Sequence, residues 1–166
     1  MICALTATVA ANLSAAGGSA AQAPPRASQE SALRVSLAST AATVVHADES
    51  VTIDFPIRLS FATDSNELLP GGAEMLDAVA HSLKDYKRTL IVISVYTDTI
   101  GDNESNQQQS QARAAVVLDY LQAKGVEPER MSARGAGETA QLAAPNTPEG
   151  RDMNRRLELT ITALSS

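Results

Sequence analysis

The chain has 166 residues, of which 44% are apolar, and its net charge at pH 7 is −6. This length fits one domain with an extension, and the negative charge argues against nucleic acid as a partner, because its phosphates would be repelled. The single cysteine, Cys3, excludes an internal disulfide and a cysteine-based zinc site. The two histidines, His46 and His81, are too far apart in sequence to form a recognisable ligand pair. We therefore expect no metal site and no cofactor.

The first 48 residues are interpreted as a signal-like or lipoprotein-like leader followed by an Ala/Ser-rich tether. Residues 1–23 are uncharged and rich in alanine, and residues 20–23 (AAQA) resemble a small-residue cleavage site, although the positive region of a secretory signal is missing. Cys3 is either a lipid acceptor or an inert thiol. No apolar run reaches the roughly 18–20 residues of a membrane span. We expect an exported chain that meets a membrane only through an N-terminal anchor.

A domain covering residues 49–166 is predicted to follow the tether. Apolar and polar residues alternate strictly from Val51 to Phe61, which is typical of a strand with one buried face. Pro56 belongs to the polar set and cannot donate a ladder hydrogen bond, which favours an edge position or a bulge. Before the domain, residues 30–45 are predicted to form a short amphipathic helix or a strand.

The rest of the domain alternates helices with strands. A helix follows Pro70, with an apolar stripe at the spacing of one helical face, and the continuously apolar residues 90–95 indicate a central strand covered on both faces. A second helix is predicted over residues 104–123, then short strands over 130–135 and 156–164. The order is β-α-β-α-β-β. It predicts an α+β sandwich with a mixed sheet and both helices packed on one face.

An acid and an arginine flank the corner between the central strand and the second helix. Asp98 ends the apolar run, and Arg113 lies 113 − 98 = 15 residues later, in the helix. This spacing allows a carboxylate and a guanidinium to converge on one spot, which would suit a small zwitterion carrying an ammonium and a carboxylate. The alternative is an intramolecular salt bridge at a loop.

Five short motifs, in this order, carry a resemblance to a known family. They are Phe61-Ala62-Thr63-Asp64-Ser65, Thr97-Asp98 with Gly101, Asn106 with Ser110 and Arg113-Ala114, Gly135-Ala136-Gly137-Glu138, and Asn154-Arg155-Arg156-Leu157-Glu158. The domain resembles the OmpA C-terminal-like peptidoglycan-binding family, which includes the periplasmic domain of OmpA and the peptidoglycan-associated lipoproteins. The resemblance covers residues 55–160.

The resemblance implies a ligand and a set of contacts. The ligand is peptidoglycan, bound through the diaminopimelate of its stem peptide, with Asp98 and Arg113 holding the ammonium and the carboxylate. Neighbouring residues are implied to line the same pocket: Thr63, Asp64, Tyr96, Thr97, Thr99, Asn106 and Gln109. Two of these depart from the family pattern, because Val95-Tyr96 replaces Gly-His and Gln109 replaces a common Leu. Tyr96 keeps a ring and a hydroxyl, whereas Gln109 makes one apolar wall polar.

Several motif residues also have a purely structural interpretation. Asp64 either caps a turn or contacts the ligand, and Asn106 either hydrogen-bonds locally at its helix start or contacts the ligand. Glu138 is expected to be a structural hydrogen-bond acceptor, and Arg156 to form a structural ion pair, whereas the role of Arg155 is left open.

The expected function is attachment of an outer-membrane or periplasmic component to the cell wall of a Gram-negative envelope. The alternative is a protein-interaction module of a larger secretion or motor assembly, with secondary wall binding and other envelope proteins as partners. A hydrolase would need paired carboxylates or an activated nucleophile, and no His or Cys is placed to assist Asp64 or Asp98. We therefore do not expect an enzyme.

Overall fold

The computed structural model describes residues 26–47 and 50–164. The predicted leader, including Cys3, lies outside this range. In chain order the elements are helix α1 (Arg26–Leu37), strands β1 (Thr43–Ala47) and β2 (Ser50–Pro56), helices α2 (Ile57–Ser60) and α3 (Pro70–Asp85), strand β3 (Thr89–Tyr96), helix α4 (Asn103–Ala123), strand β4 (Met131–Gly137), helix α5 (Pro148–Asn154) and strand β5 (Arg156–Ala163). None of the helices in this part of the chain is long and apolar enough to span a bilayer.

Within the described residues the strands form one mixed sheet in the order β1-β2-β5-β3-β4. Strand β5 pairs antiparallel with both β2 and β3, whereas β3 and β4 are parallel and are joined through α4. Alternate residues of the three central strands enter a single core with the apolar faces of α1, α3 and α4. The predicted α+β class with a mixed sheet is confirmed.

The predicted helices are confirmed with small shifts of their bounds. The stripe of Leu76, Val79, Ala80 and Leu83 on α3 is buried. Helix α4 begins where the side chain of Asp102 accepts a hydrogen bond of 3.0 Å from the Ser105 N–H, so the cap satisfies one of the free amides at the helix start.

Part of the predicted tether is folded. Residues 26–37 are helical, residues 43–47 pair with β2, and Leu33 and Leu37 are buried in the core. Residues 30–45 therefore contain both a helix and a strand, rather than one of the two. The boundary predicted at residue 49 falls between two strands of the same sheet.

The first predicted strand is wrong beyond Pro56. The chain turns into α2 there, which leaves Leu59 38% exposed while Ile57 and Phe61 stay buried. The edge position predicted for Pro56 is also wrong, because β2 lies between β1 and β5. Pro56 is nevertheless tolerated, since it is the last residue of β2 and lies past Asp54, the last β2 residue that pairs with β1.

The prediction that β3 is covered on both faces holds for the second half of the strand, where Ser94 and Tyr96 are buried, and is wrong for the first half. The alternate residues Ile91, Ile93 and Val95 are buried in the core, but Leu90 is 44% exposed on the other face. The helices of the core thus leave part of the opposite sheet face open, and the continuous apolar run did not reveal this.

Candidate functional site

A cleft of about 510 Å³ lies at the end of the sheet where β2 and β3 finish and β5 begins. Its walls come from the α2 region, from the loop after β3, from the first half of α4 and from the residues before β5. Eight of the nine predicted site residues line it: Thr63, Asp64, Tyr96, Thr97, Asp98, Asn106, Gln109 and Arg113. The ninth, Thr99, is exposed and is not part of the lining. A contact between any of these residues and a ligand stays a prediction.

The loop after β3 holds Asp98 in a fixed position. The backbone N–H of Thr97 donates to the Gly137 carbonyl of β4 over 2.8 Å, so the loop leaves the sheet beside β4. The Oδ1 atom of Asp98 accepts the Ile100 N–H at 3.1 Å, and Gly101 takes the positive φ of 99° that closes the turn. Asp98 is only 7% exposed, yet it lines the cleft.

Asn106 ties this loop to the start of α4. Its Nδ2 atom donates to the carbonyl of Ile100 at 3.1 Å and to that of Asp98 at 3.4 Å, with a longer contact of 3.5 Å to Glu138. The local interpretation of Asn106 is therefore correct as far as its amide nitrogen goes. Glu138 also accepts from Asn103 at 3.0 Å, which confirms its role as a structural acceptor.

A close approach between α4 and β4 holds the helix against the sheet. A Cβ added to Gly135 would lie 2.2 Å from the backbone nitrogen of Gln111, so only glycine lets α4 lie this near the strand. The hydroxyl of Ser110 accepts the Gly137 N–H at 3.0 Å across the same contact. The first half of α4, and with it Arg113, is thereby fixed against the sheet.

One side of the Arg113 guanidinium hydrogen-bonds to backbone carbonyls, and the other side faces the cleft. Its Nε and Nη2 atoms donate to the carbonyl of Ser65 at 3.0 and 2.9 Å, and Nη2 also reaches that of Ala62 at 3.4 Å. The guanidinium lies 5.4 Å from the ring centroid of Phe61. Its Nη1 atom has no hydrogen-bond partner among the described residues, so both of its N–H groups remain for a ligand.

Burial lowers the pKa of Arg113, and the nearby charge of Asp64 partly opposes this shift. Because an arginine starts far above neutrality, the side chain stays cationic at pH 7. Asp64 itself occupies a left-handed turn conformation with φ of 51° and is exposed at the mouth of the cleft.

Asp98 and Arg113 do not pair with each other. The Oδ2 atom of Asp98 accepts from Nη1 of Arg155 instead, and Nη2 of Arg155 donates to Asp152. The loop salt bridge that was the alternative interpretation of the 15-residue spacing is therefore not formed. Both predicted residues line the same cleft, but each has another protein partner.

Arg155 is the main residue that sequence reasoning did not place. Arg155 belongs to the Asn154-Arg155-Arg156 motif, and the sequence left its own role open. Asn154 holds this segment in place: its Oδ1 accepts the N–H groups of Leu142 and Ala143 at 2.8 and 3.0 Å. Arg156, predicted as a structural ion pair, contacts Glu158 at 3.5 Å.

Tyr96 contributes a buried ring to the cleft wall. The guanidinium of Arg156 lies 3.6 Å from its ring centroid, a distance typical of a cation–π contact. The ring that replaces the family's histidine therefore has a clear packing role. Val95, the other departure, is buried in the core.

Metal chemistry finds no support at this site. Within residues 26–47 and 50–164, no three His, Cys, Asp or Glu side chains lie together as potential ligands. Neither histidine lines the cleft, and His46 instead contacts Glu30 of α1 at 3.2 Å.

The fold and the cleft together define the class of protein. The sequence model of the OmpA family matches residues 60–155, which is more than half of the chain, and this chain belongs to that family. The predicted resemblance is confirmed. All of the motif residues that line the cleft fall inside the matched range.

Three similar proteins illustrate the relationship. The chain is 34% identical over 136 residues to the probable lipoprotein YiaD of Escherichia coli K12, covering 82% of this chain and 62% of that protein. It is 37% identical over 103 residues to the peptidoglycan-binding protein ArfA of Mycobacterium tuberculosis H37Rv, covering 62% and 32%. The solved structure of the cell wall anchor of the T6SS from Pseudomonas aeruginosa superposes with a TM-score of 0.72 at 26% identity, covering 86% of this chain and all of that one. The chain spans less than two thirds of the length of the two curated relatives.

Proposed function

We propose that this protein binds peptidoglycan non-covalently through the diaminopimelate of its stem peptide, and that it attaches an envelope component to the cell wall. The observation that carries the proposal is that two buried, oppositely charged groups line the same cleft, Asp98 and Arg113, each 7% exposed. The names of two relatives, a peptidoglycan-binding protein and a cell wall anchor, support the same ligand.

The cleft offers complementary contacts for both ends of a zwitterion. Each oxygen of Asp98 already accepts one hydrogen bond, but a carboxylate has about four lone-pair sites, so capacity remains for a ligand ammonium. The free Nη1 of Arg113 can donate two hydrogen bonds to a ligand carboxylate. Arg155 then holds Asp98 in position and shares it with the ammonium.

The affinity of one site is expected to be modest. Charge-assisted hydrogen bonds contribute about 1.5–3 kcal/mol each when shielded from water, and less where solvent competes. The cell wall repeats the same stem peptide many times, so a chain that is held near the wall rebinds readily. Weak single-site binding is therefore compatible with stable attachment.

The same arrangement favours binding over catalysis. Asp98 is held by the Ile100 amide and by Arg155, and no His or Cys of the described residues lines the cleft to activate a nucleophile. We place the protein in the periplasm of a Gram-negative envelope, associated with the outer membrane. The relative named as a probable lipoprotein supports an envelope location.

The test is the substitution Asp98→Asn, which keeps the shape of the side chain and removes its charge. We expect the folded variant to lose at least about tenfold in affinity for a diaminopimelate-containing tetrapeptide, measured by calorimetry, and to stop co-sedimenting with purified sacculi. Asp85→Asn is the matched control, because Asp85 is exposed at the far end of α3. A folded Asp98→Asn variant that binds as tightly as the wild type would refute the site.

A further inference from the structure

Arg58 is a third cation of the cleft, and its side chain is not engaged by the residues that the structure describes. It lies on α2, is exposed, and lines the cleft together with Arg113 and Arg155. No hydrogen bond or ion pair joins its side chain to any of the residues that the structure describes. Arg113 and Arg155, by contrast, each donate at least two hydrogen bonds to the protein.

The backbone of Arg58 is nevertheless fixed. The N–H of Ile57 donates to the carbonyl of Arg155 at 3.0 Å, and the N–H of Phe61 donates back to the carbonyl of Ile57 at 2.9 Å. Ile57 and Ser60 are buried on either side of it. Arg58 therefore projects from a rigid helical turn beside the segment that carries Arg155.

The position of Arg58 depends on the break in the predicted strand. Had β2 continued past Pro56, Arg58 would share the sheet face of Thr52 and Asp54, opposite the core. The helical turn of α2 brings it instead to the rim where the cleft meets a second, smaller cavity of about 260 Å³, which it also lines. Arg58 is therefore placed to contact the part of a ligand that extends from the cleft towards the second cavity.

Among the arginines of the cleft, Arg58 has no carboxylate partner in the described chain. Three arginines and three aspartates line it, and two of those aspartates, Asp98 and Asp152, both pair with Arg155. The third, Asp64, acts on Arg113 through its charge. A bound zwitterion adds no net charge and leaves the three positive and three negative side chains of the cleft in balance, but it does not supply the carboxylate partner that Arg58 lacks among the described residues.

We propose that Arg58 binds a second carboxylate of the same ligand, so that the protein selects stem peptides with free carboxylates over amidated ones. This inference rests on the proposed function. In the tetrapeptide L-Ala-γ-D-Glu-meso-diaminopimelate-D-Ala, carboxylates occur on either side of the diaminopimelate: the α-carboxylate of D-Glu and the terminal carboxylate of D-Ala. Either one supplies the planar anion that a guanidinium binds with two hydrogen bonds.

The test titrates the full chain with four synthetic tetrapeptides: one with both carboxylates free, one amidated at D-Glu, one amidated at D-Ala, and one amidated at both. For the wild type we expect the doubly amidated peptide to bind about three- to tenfold more weakly than the free acid, as an accessible ion pair allows. The singly amidated peptide that shows this loss identifies the carboxylate that Arg58 binds.

Arg58→Gln is expected to reduce the ratio between the free and doubly amidated peptides to near one, whereas Arg58→Lys should retain part of it. Lys87→Gln removes the same charge before β3, at the other end of that strand, and should keep the wild-type ratio. Equal binding of the free and doubly amidated peptides by the wild type overturns the inference while leaving the proposed function intact. So does an Arg58→Gln variant that still discriminates. If the wild type binds none of the four peptides, the proposed function fails and the inference fails with it.

Discussion

The two ends of strand β3 each hold an arginine that donates to backbone carbonyls, and the two arginines differ in what they leave free. At the start of β3, Arg130 uses every N–H of its guanidinium within the protein. Its acceptors are the carbonyls of Leu83, Tyr86 and Thr89, the hydroxyl of Thr89 and the carboxylate of Glu127. At the other end, Arg113 uses Nε and Nη2 and keeps Nη1 available.

The contrast separates an arginine whose donors are all used within the protein from one that keeps donors available for a ligand. Arg130 joins the last turn of α3 to the start of β3, where its charge also faces the carbonyl end of the helix dipole, and nothing remains for a ligand. Arg113 is equally embedded in backbone contacts, but its remaining nitrogen opens into a cleft. Residue type and burial alone would not distinguish them; the number of unused donors does.

Unsatisfied polar atoms are concentrated at the same end as the cleft. Of the six buried side-chain atoms without a hydrogen-bond partner in the described chain, four belong to residues at that end: Asp54, Thr97, Gln141 and Arg156. Each such atom costs free energy that a satisfied atom would not. The cleft end is therefore expected to be the less stable end of the sheet.

The largest expected effect on stability comes from Arg130→Met. The substitution keeps much of the apolar stem and removes five hydrogen bonds, so we expect the free energy of unfolding to fall by about 2–4 kcal/mol, measured by urea denaturation. The affinity of the remaining folded protein for the tetrapeptide should not change. A loss of affinity without a loss of stability would contradict the division between the two ends.

Arg113→Met is expected to give the opposite balance. Three hydrogen bonds to the loop after α2 are lost, and the free energy of unfolding should fall by about 1–2 kcal/mol, since that loop is solvent-exposed. Affinity for the tetrapeptide should fall at least about tenfold, because the ligand carboxylate loses its donor. Titration calorimetry at a temperature where the variant is folded measures the affinity, and urea denaturation of the same preparation measures the free energy of unfolding. If Arg113→Met lost more stability than Arg130→Met and kept its affinity, the comparison would be reversed.

The sequence correctly predicted the elements whose apolar residues follow only one repeat, that of a strand or that of a helix. It misled where the apolar positions fit both repeats. Ile57 and Phe61 are four residues apart, which is two strand repeats and about one helical turn. Both residues would therefore be buried whether the segment were a strand or a helix. Only Leu59 distinguishes the two structures, and its exposure is set by tertiary contacts. Arg58, which depends on this turn for its position, was therefore not recognised.

Most of the predicted site residues line the cleft, but the sequence did not predict which residue pairs with Asp98. A spacing of 15 residues shows that Asp98 and Arg113 can approach one cleft, but it carries no information on a third residue distant in sequence. Arg155 lies 57 residues after Asp98 and reaches it because Asn154 fixes the preceding loop. The resemblance to the family identified the motif that contains Arg155, and only the structure shows that Arg155, not Arg113, pairs with Asp98.

Asp54 has one of the unsatisfied buried atoms at the cleft end, and the pH dependence of stability tests whether it destabilises the fold. Burial is the main reason that the pKa of Asp54 is raised, the charge of Glu158 adds to the effect, and Arg156 opposes it. A raised pKa in the folded state means that the folded protein binds the proton more tightly than the unfolded chain does. The contribution of Asp54 to stability is therefore fully present below its ordinary pKa of 3.8 and is lost as the pH rises through the higher folded value.

Asp54→Asn should remove this loss, because the amide carries no charge at any of these pH values. We expect the variant to be more stable than the wild type at about pH 7, by about 1 kcal/mol or less, and the difference to shrink towards zero near pH 4. Urea denaturation at several pH values measures it, with Asp85→Asn as the exposed control. A variant that is less stable than the wild type at neutral pH would show that the attraction between Asp54 and the charge of Arg156 outweighs the desolvation of Asp54. In that case the unsatisfied oxygen of Asp54 would not lower the stability of the cleft end of the sheet.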